Sequence, residues 1–225
     1  MTRLANALGF AALLTLAPPA RAQTVAVLPF ENGGSYGQDK EDFDALRQSI
    51  AALIASEIGR RSSASVVERA AVVSAMRQHG FATTERFDAA SAAQLGKLTG
   101  AGIVIAGTFI DLYGDFRIDA RIIDVGTGRV LKLVRSDPKL SDRSQMFRII
   151  ESVAARIVEG AGLTATAAAA RPAAISTEAV TLFGKGLLYE DAGDRTQATT
   201  FFQRATAAAV GFTEAEAGLR RVGSD

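Results

Sequence analysis

The sequence contains no cysteine. Disulfides, thiolate metal sites and cysteine nucleophiles are excluded, and so is a lipid carried on an amino-terminal cysteine. There is one histidine, His79. Without a histidine or cysteine partner it makes neither a metal centre nor an ordinary triad. A surplus of either charge is lacking too, with 25 Lys+Arg against 24 Asp+Glu. Such a chain is not built to neutralise a phosphate backbone, and nucleic acid is not an expected partner. Long apolar runs are scarce. Leu4 to Ala17 is shorter than the ~20 residues of a bilayer-spanning helix, and no other stretch is long and apolar enough for a membrane helix.

That one run has the layout of an export signal. Arg3 precedes it, and Ala20-Arg21-Ala22 follows as a small-x-small cleavage site before Gln23. A buried amino-terminal helix is the plainer alternative, but it does not explain the order of the three regions. We expect residues 1–22 to be removed on export. The remainder then has 23 Lys+Arg against 24 Asp+Glu, a net charge of −1.

The most informative stretch is Ser91 to Leu131. Ala92, Leu95 and Leu98 fall on one helical face, and Gly100 and Gly102 stop the helix. Ile103 to Ile110 is nearly all apolar, as in a strand covered on both faces. Gly114-Asp115 is a two-residue turn candidate. Phe116, Ile118, Ala120, Ile122 and Asp124 alternate with Arg117, Asp119 and Arg121, as in a half-exposed strand. Gly126-Thr127-Gly128 turns the chain, and Arg129 to Val134 returns as a further strand.

Upstream, Val25 to Phe30 reads as a strand in which Pro29 is tolerated only at an edge or end. Glu31 to Lys40 reads as a polar loop. A helix follows over about Glu41 to Arg60, with Phe43, Leu46, Ile50, Leu53 and Ile54 on one face. Ser65 to Val67 is a short strand and Glu68 to Gln78 a helix. Asp88 or Ser91 can cap the next helix. Downstream, Ser141 is a candidate cap for a helix striped by Phe147, Ile150, Val153 or Ala154, and Ile157. Residues 161–175 are an Ala/Pro-rich linker.

From Ser176 the pattern changes. Leu182, Gly186, Tyr189, Gly193, Ala198, Phe202 and Ala205 resemble a single tetratricopeptide repeat. Gly186 and Ala205 let two helices approach, Tyr189 and Phe202 fill the space between them, and Gly193-Asp194 turns the chain. The repeat's closing proline is replaced by Val210, and Thr213 to Val222 reads as a capping helix. One repeat is too few to stand alone. It must dock on the first domain or on another chain.

No motif assembles a catalytic or cofactor site. Gly33-Gly34-Ser35-Tyr36-Gly37 lies between a strand and a helix, but Lys40 is followed by Glu41 and the spacing fits no phosphate-binding loop. A surface loop is the better reading, and an interaction loop the second. Asp124 to Gly128 is a hairpin turn rather than half of a protease site. Glu68-Arg69 reads as a helix-start carboxylate with a local ion pair. Asp111, Asp115 and Asp119 lack the loop spacing of a calcium site. We expect no catalytic residue, no cofactor and no metal.

The stretches VAVLPFEN (Val25 to Asn32), VVERA (Val66 to Ala70), AAQLGKLTGAGIVIAGTF and ARIIDVGTGRVL resemble the CsgG-like family, named for the curli secretion channel. The amino-terminal domain of TolB-like proteins is similar. The resemblance spans about Val25 to Gly160. It implies an α/β fold with a mixed, largely antiparallel sheet packed with helices, here followed by a small all-α helical hairpin. The units are then residues 1–22, 23–160, 161–175 and 176–225. Lipoproteins are common in this setting, and the missing cysteine departs from that pattern. The channel form is thought to insert long membrane hairpins. A spanning strand needs about 9–11 residues, and neither Gly114-Asp115 nor the polar Leu131 to Ser144 segment holds such a pair. The resemblance therefore implies a periplasmic, non-enzymatic adaptor with an envelope or outer-membrane protein partner, serving assembly or secretion of a surface structure. The alternative is a homo-oligomeric subunit of a curli-type export channel.

Overall fold

The computed structural model describes residues 23–35, 40–82, 86–168 and 174–223. The expected signal at 1–22, part of the glycine loop and part of the expected linker lie outside them.

The apolar run and the alternating run form the longest ladder. Strands β4 (Ile103–Leu112) and β5 (Asp115–Asp124) pair antiparallel from Ile103↔Asp124 to Leu112↔Asp115. The turn is Tyr113-Gly114, with φ of 53° and 102°. Two positive φ values in a two-residue loop match the twist of the flanking strands. The turn therefore lies one residue earlier than the sequence suggests, and Asp115 closes the ladder instead. β6 (Val130–Arg135) continues antiparallel on β5, with a bulge at Ile122/Ile123.

Three short parallel pairings complete a six-stranded sheet. β1 (Thr24–Val27) runs beside β4, and β3 (Ser65–Val66) beside β1. The expected strand Val25 to Phe30 is interrupted. Leu28 N–H still reaches Ile105 O, but Pro29 has no N–H to give, and Phe30 N–H turns to Arg47 O. The chain then rejoins β4 as β2 (Glu31–Asn32), where a loop was expected. The order is β3-β1-β4-β5-β6, with β2 beside β4. β6 is an edge strand.

Alternate residues of the sheet feed two cores. Ile105, Phe109, Ile118 and Ile122 face α1 (Lys40–Arg61) and α4 (Met146–Gly160). Val104, Ala106 and Ile123 face α2 (Arg69–Gln78) and α3 (Ala89–Leu98). Asp88 caps α3 through Ser91 N–H at 2.8 Å. Ser141 is not the cap expected before α4. Asp142 instead accepts from Ser144 N–H and opens a turn of 3-10 helix, Arg143–Gln145, ahead of α4. The Ser141 carbonyl is taken by Phe116 N–H.

The tail folds into α5 (Thr177–Ala192), α6 (Arg195–Ala208) and α7 (Thr213–Gly223). Ser176 caps α5, Gly193 closes it at φ 80°, and Asp194 caps α6. A Cβ on Gly186 would strike the Phe202 ring, so the glycine sets the α5–α6 approach. Of the two docking options, the structure takes the chain's own first part: α5 lies along α1. Gly184 sits so close to Ala45 that a Cβ there would collide with its carbonyl. This packing explains why α1 buries more than one stripe. Ala45, against Gly184, is fully buried on a second side of the helix, and Gln48, Ser49 and Glu57 are buried as well. Glu57 stays ionically satisfied by Arg60 at 2.6 Å and Arg61 at 2.7 Å.

Candidate functional site

The carboxylates singled out in the sequence do not converge. Asp111 is fully buried. It accepts from Arg143 at 3.0 Å and from Gly114 N–H at 2.9 Å, so it braces the β4–β5 turn. Asp115 and Asp119 are exposed and lie near Arg117 and Arg135. Glu68 precedes α2 without a side-chain cap bond, on the rim of a cleft against the tail. His79 is exposed at the carboxyl end of α2. Asp124 accepts from both the N–H and hydroxyl of Thr127, which holds its carboxyl below the usual range and makes it a turn residue.

The described part of the glycine loop is already bonded. Gly33 N–H donates to Phe109 O, and Asn32 Oδ1 accepts from Gly34 and Ser35 N–H. Those amides are not free to cradle a phosphate. Among the described residues no group of three or more potential metal ligands gathers.

Arg69 does not make a local pair. It reaches across to α5, donating to Asp191 at 2.7 Å and Glu190 at 3.2 Å. Arg221 of α7 holds the same Glu190 at 2.9 and 3.0 Å. Burial pushes the Glu190 carboxyl up, but the guanidinium groups of Arg221 and Arg69 outweigh it and hold it below its usual value. This network rims a cleft of about 400 Å³ between α1, α2 and the tail, floored by Ala52, Ala55, Phe183 and Leu187. Midway along α5, Lys185 pairs with Asp42 at 2.8 Å and Glu41 at 3.2 Å. Arg69 and Lys185 are thus engaged in holding the tail to the first part of the chain, and Arg221 in bracing Glu190 within the tail.

The remaining surface is the far end of the sheet. α2 and α3 cover the β1–β4 end of their face and leave the β5–β6 end bare. Arg117, Asp119 and Arg135 stand there exposed beside half-buried Thr108 and Ile110. Glu31, nearly buried, organises its border. It accepts Phe87 N–H at 3.0 Å and holds Arg86 at 3.1 Å and Arg121 at 3.7 Å. A hollow of about 420 Å³ lies between this border and Leu133. Along the edge, Val130, Leu131 and Leu133 are 41%, 53% and 61% exposed. A row of exposed aliphatic side chains on an edge strand is a feature that folded proteins usually avoid. That this stretch returns as a strand is visible in the sequence, but its place at the sheet edge is not.

No family model matches the chain, and no curated protein does. The CsgG-like resemblance therefore rests on the sequence motifs. Several solved structures are similar in backbone. Lipoprotein GNA1162 from Neisseria meningitidis is 18% identical, covering 61% of this chain and 99% of its own, with a TM-score of 0.38. The LpoB C-terminal domain from Escherichia coli is 15% identical, covering 51% of this chain and 80% of its own, with a TM-score of 0.34. TolB from Acinetobacter baumannii is 14% identical, covering 63% of this chain and 29% of its own, with a TM-score of 0.36. Values of this size assign the chain to no family.

Proposed function

We propose that the chain is a non-enzymatic binding module of the bacterial cell envelope, an adaptor in the assembly or secretion of a surface structure. The observation that carries the reading is the uncovered end of the sheet, an α/β surface with an apolar edge that the chain's own helices leave open. The export pattern over residues 1–22 and the four motifs in CsgG-like order support the compartment. The scattered positions of Asp111, Asp119 and Glu68 favour binding over hydrolysis. The hairpin insertion points favour an adaptor over a channel subunit. β4 and β5 are joined by Tyr113-Gly114 alone, and Ser136 to Asp142 is a short connection to the 3-10 turn. No helix among the described residues is long and apolar enough to cross a membrane.

Export is tested by fusing β-lactamase after Asp225 in a Gram-negative host. The reading expects ampicillin resistance that depends on residues 1–22, and release of the fusion when the outer membrane is opened. Resistance lost in the full-length fusion, with the protein in the cytoplasm, would overturn it.

A further inference from the structure

The edge strand β6 combines two features that point to one kind of occupant. Its ladder to β5 is phased by Ser136 N–H donating to Ile118 O at 2.8 Å. Successive residues of an antiparallel strand turn their peptide groups to opposite sides. Leu133 and Arg135 therefore direct theirs away from β5, toward the open edge. Arg156 of α4 already donates to the outward Arg135 carbonyl at 2.8 Å, which fixes this direction independently. The strand thus offers peptide groups and exposed leucines together.

Its charge is of one sign. From Val125 to Ser136 there are three cations, Arg129, Lys132 and Arg135, and no acid. Arg135 has only a loose, exposed neighbour in Asp119 at 3.7 Å, a kind of pair that contributes little. The three cations are spaced by three residues. If two copies paired antiparallel about Lys132, Lys132 would face Lys132. Like charges directly opposite oppose pairing. An edge with three cations and no acid therefore suits a strand carrying carboxylates better than a second copy of itself.

We propose that β6 is a docking edge for an extended segment of a partner protein in which acidic and apolar residues alternate. The segment adds a seventh strand, main chain to main chain at Leu133 and at the Arg135 N–H. Its apolar side chains lie on Leu133 and the neighbouring Leu131, and its carboxylates, on the opposite face, meet Lys132 and Arg129. This deepens the binding-module reading and rests on it, naming the partner's chemistry at the same surface.

The test is made on the purified chain from Gln23 with two fluorescent peptides of eight residues, one alternating Asp and Val, the other Lys and Val. Binding is followed by anisotropy, and amide exchange by NMR. We expect the acidic peptide to bind, to slow exchange at Leu133 and Arg135, and to weaken as salt rises. The basic peptide does not bind. Lys132→Glu with Arg129→Glu lowers affinity for the acidic peptide roughly tenfold or more and admits the basic one, while the thermal midpoint holds. Leu133→Pro, which removes the outward N–H, abolishes binding of the acidic peptide. Equal binding of both peptides, no protection at β6, or a protein that dimerises through this edge would each overturn the proposal. Export of the chain is untouched by any of these results, so failure here is distinct from failure of the compartment.

Discussion

Gly184 of α5 lies against the backbone of Ala45 in α1, and a methyl group there would meet the Ala45 carbonyl and, at 3.1 Å, its Cβ. The two helices touch main chain to main chain. Phe183, Leu187, Phe202 and Phe212 belong to the same apolar cluster as Leu46, Ile50 and Ile54. The tail and the α/β part therefore share one core. Gly184→Val should strain this contact by about 1–3 kcal/mol or more. In urea denaturation the midpoint should fall for the entire chain, in a single transition.

Removing the tail from Ser176 onward should do more than shorten the protein. It strips the second covered side of α1 and exposes apolar area that α5 now hides. The truncated chain should aggregate, or bind a hydrophobic dye, under conditions where the longer chain does neither. A well-behaved truncated protein would show that α1 does not need this cover.

Asp111 and Arg143 make an asymmetric pair. The Asp111 carboxylate has no exposed surface, whereas the Arg143 side chain is about a third exposed. Arg143→Met leaves a buried acid with only Gly114 N–H, a loss of about 1–3 kcal/mol. Asp111→Asn keeps an acceptor for that N–H and leaves a cation that can reach water. Thermal melts should rank Arg143→Met below Asp111→Asn.

Glu190 gives the fold a pH signature. Its folded-state pKa is lowered, against burial, by Arg221 and Arg69. The stabilisation is therefore fully present above the ordinary glutamate value. It is lost as pH falls through the lowered folded-state value. The stability gap between the parent and Glu190→Gln should be constant near neutrality and shrink in acid. A gap that widens as pH falls would contradict the assignment.

Gly107 stands where the Phe30 ring crosses β4, with Asp119 O of β5 close on the same side. Gly107→Val has no room in either direction and should abolish folding or cost about 1–3 kcal/mol, read as loss of the near-ultraviolet signal.

Much of this architecture was legible in local pattern. The alternation from Phe116 to Asp124 gave a strand, the stripe from Phe43 to Ile54 a helix, and Gly193-Asp194 a turn. What was not legible depends on contacts distant in sequence. Glu31 looked like the start of a polar loop, yet pairing with β4 buries it. Nothing local to Gly184 marks Ala45 as the backbone it packs against. Arg69 lay beside Glu68 in sequence, and its partners are 121 and 122 residues away. The edge position of β6 follows from strand order, which no local period encodes.

The measurement that tests the central claim most directly is the mass of the exported protein, recovered from the periplasm without detergent and sized by light scattering on a gel-filtration column. An adaptor with its helices folded on itself is expected to run as a soluble monomer or dimer. A ring-sized assembly, or recovery only from the outer-membrane fraction, would contradict the account and favour a channel subunit.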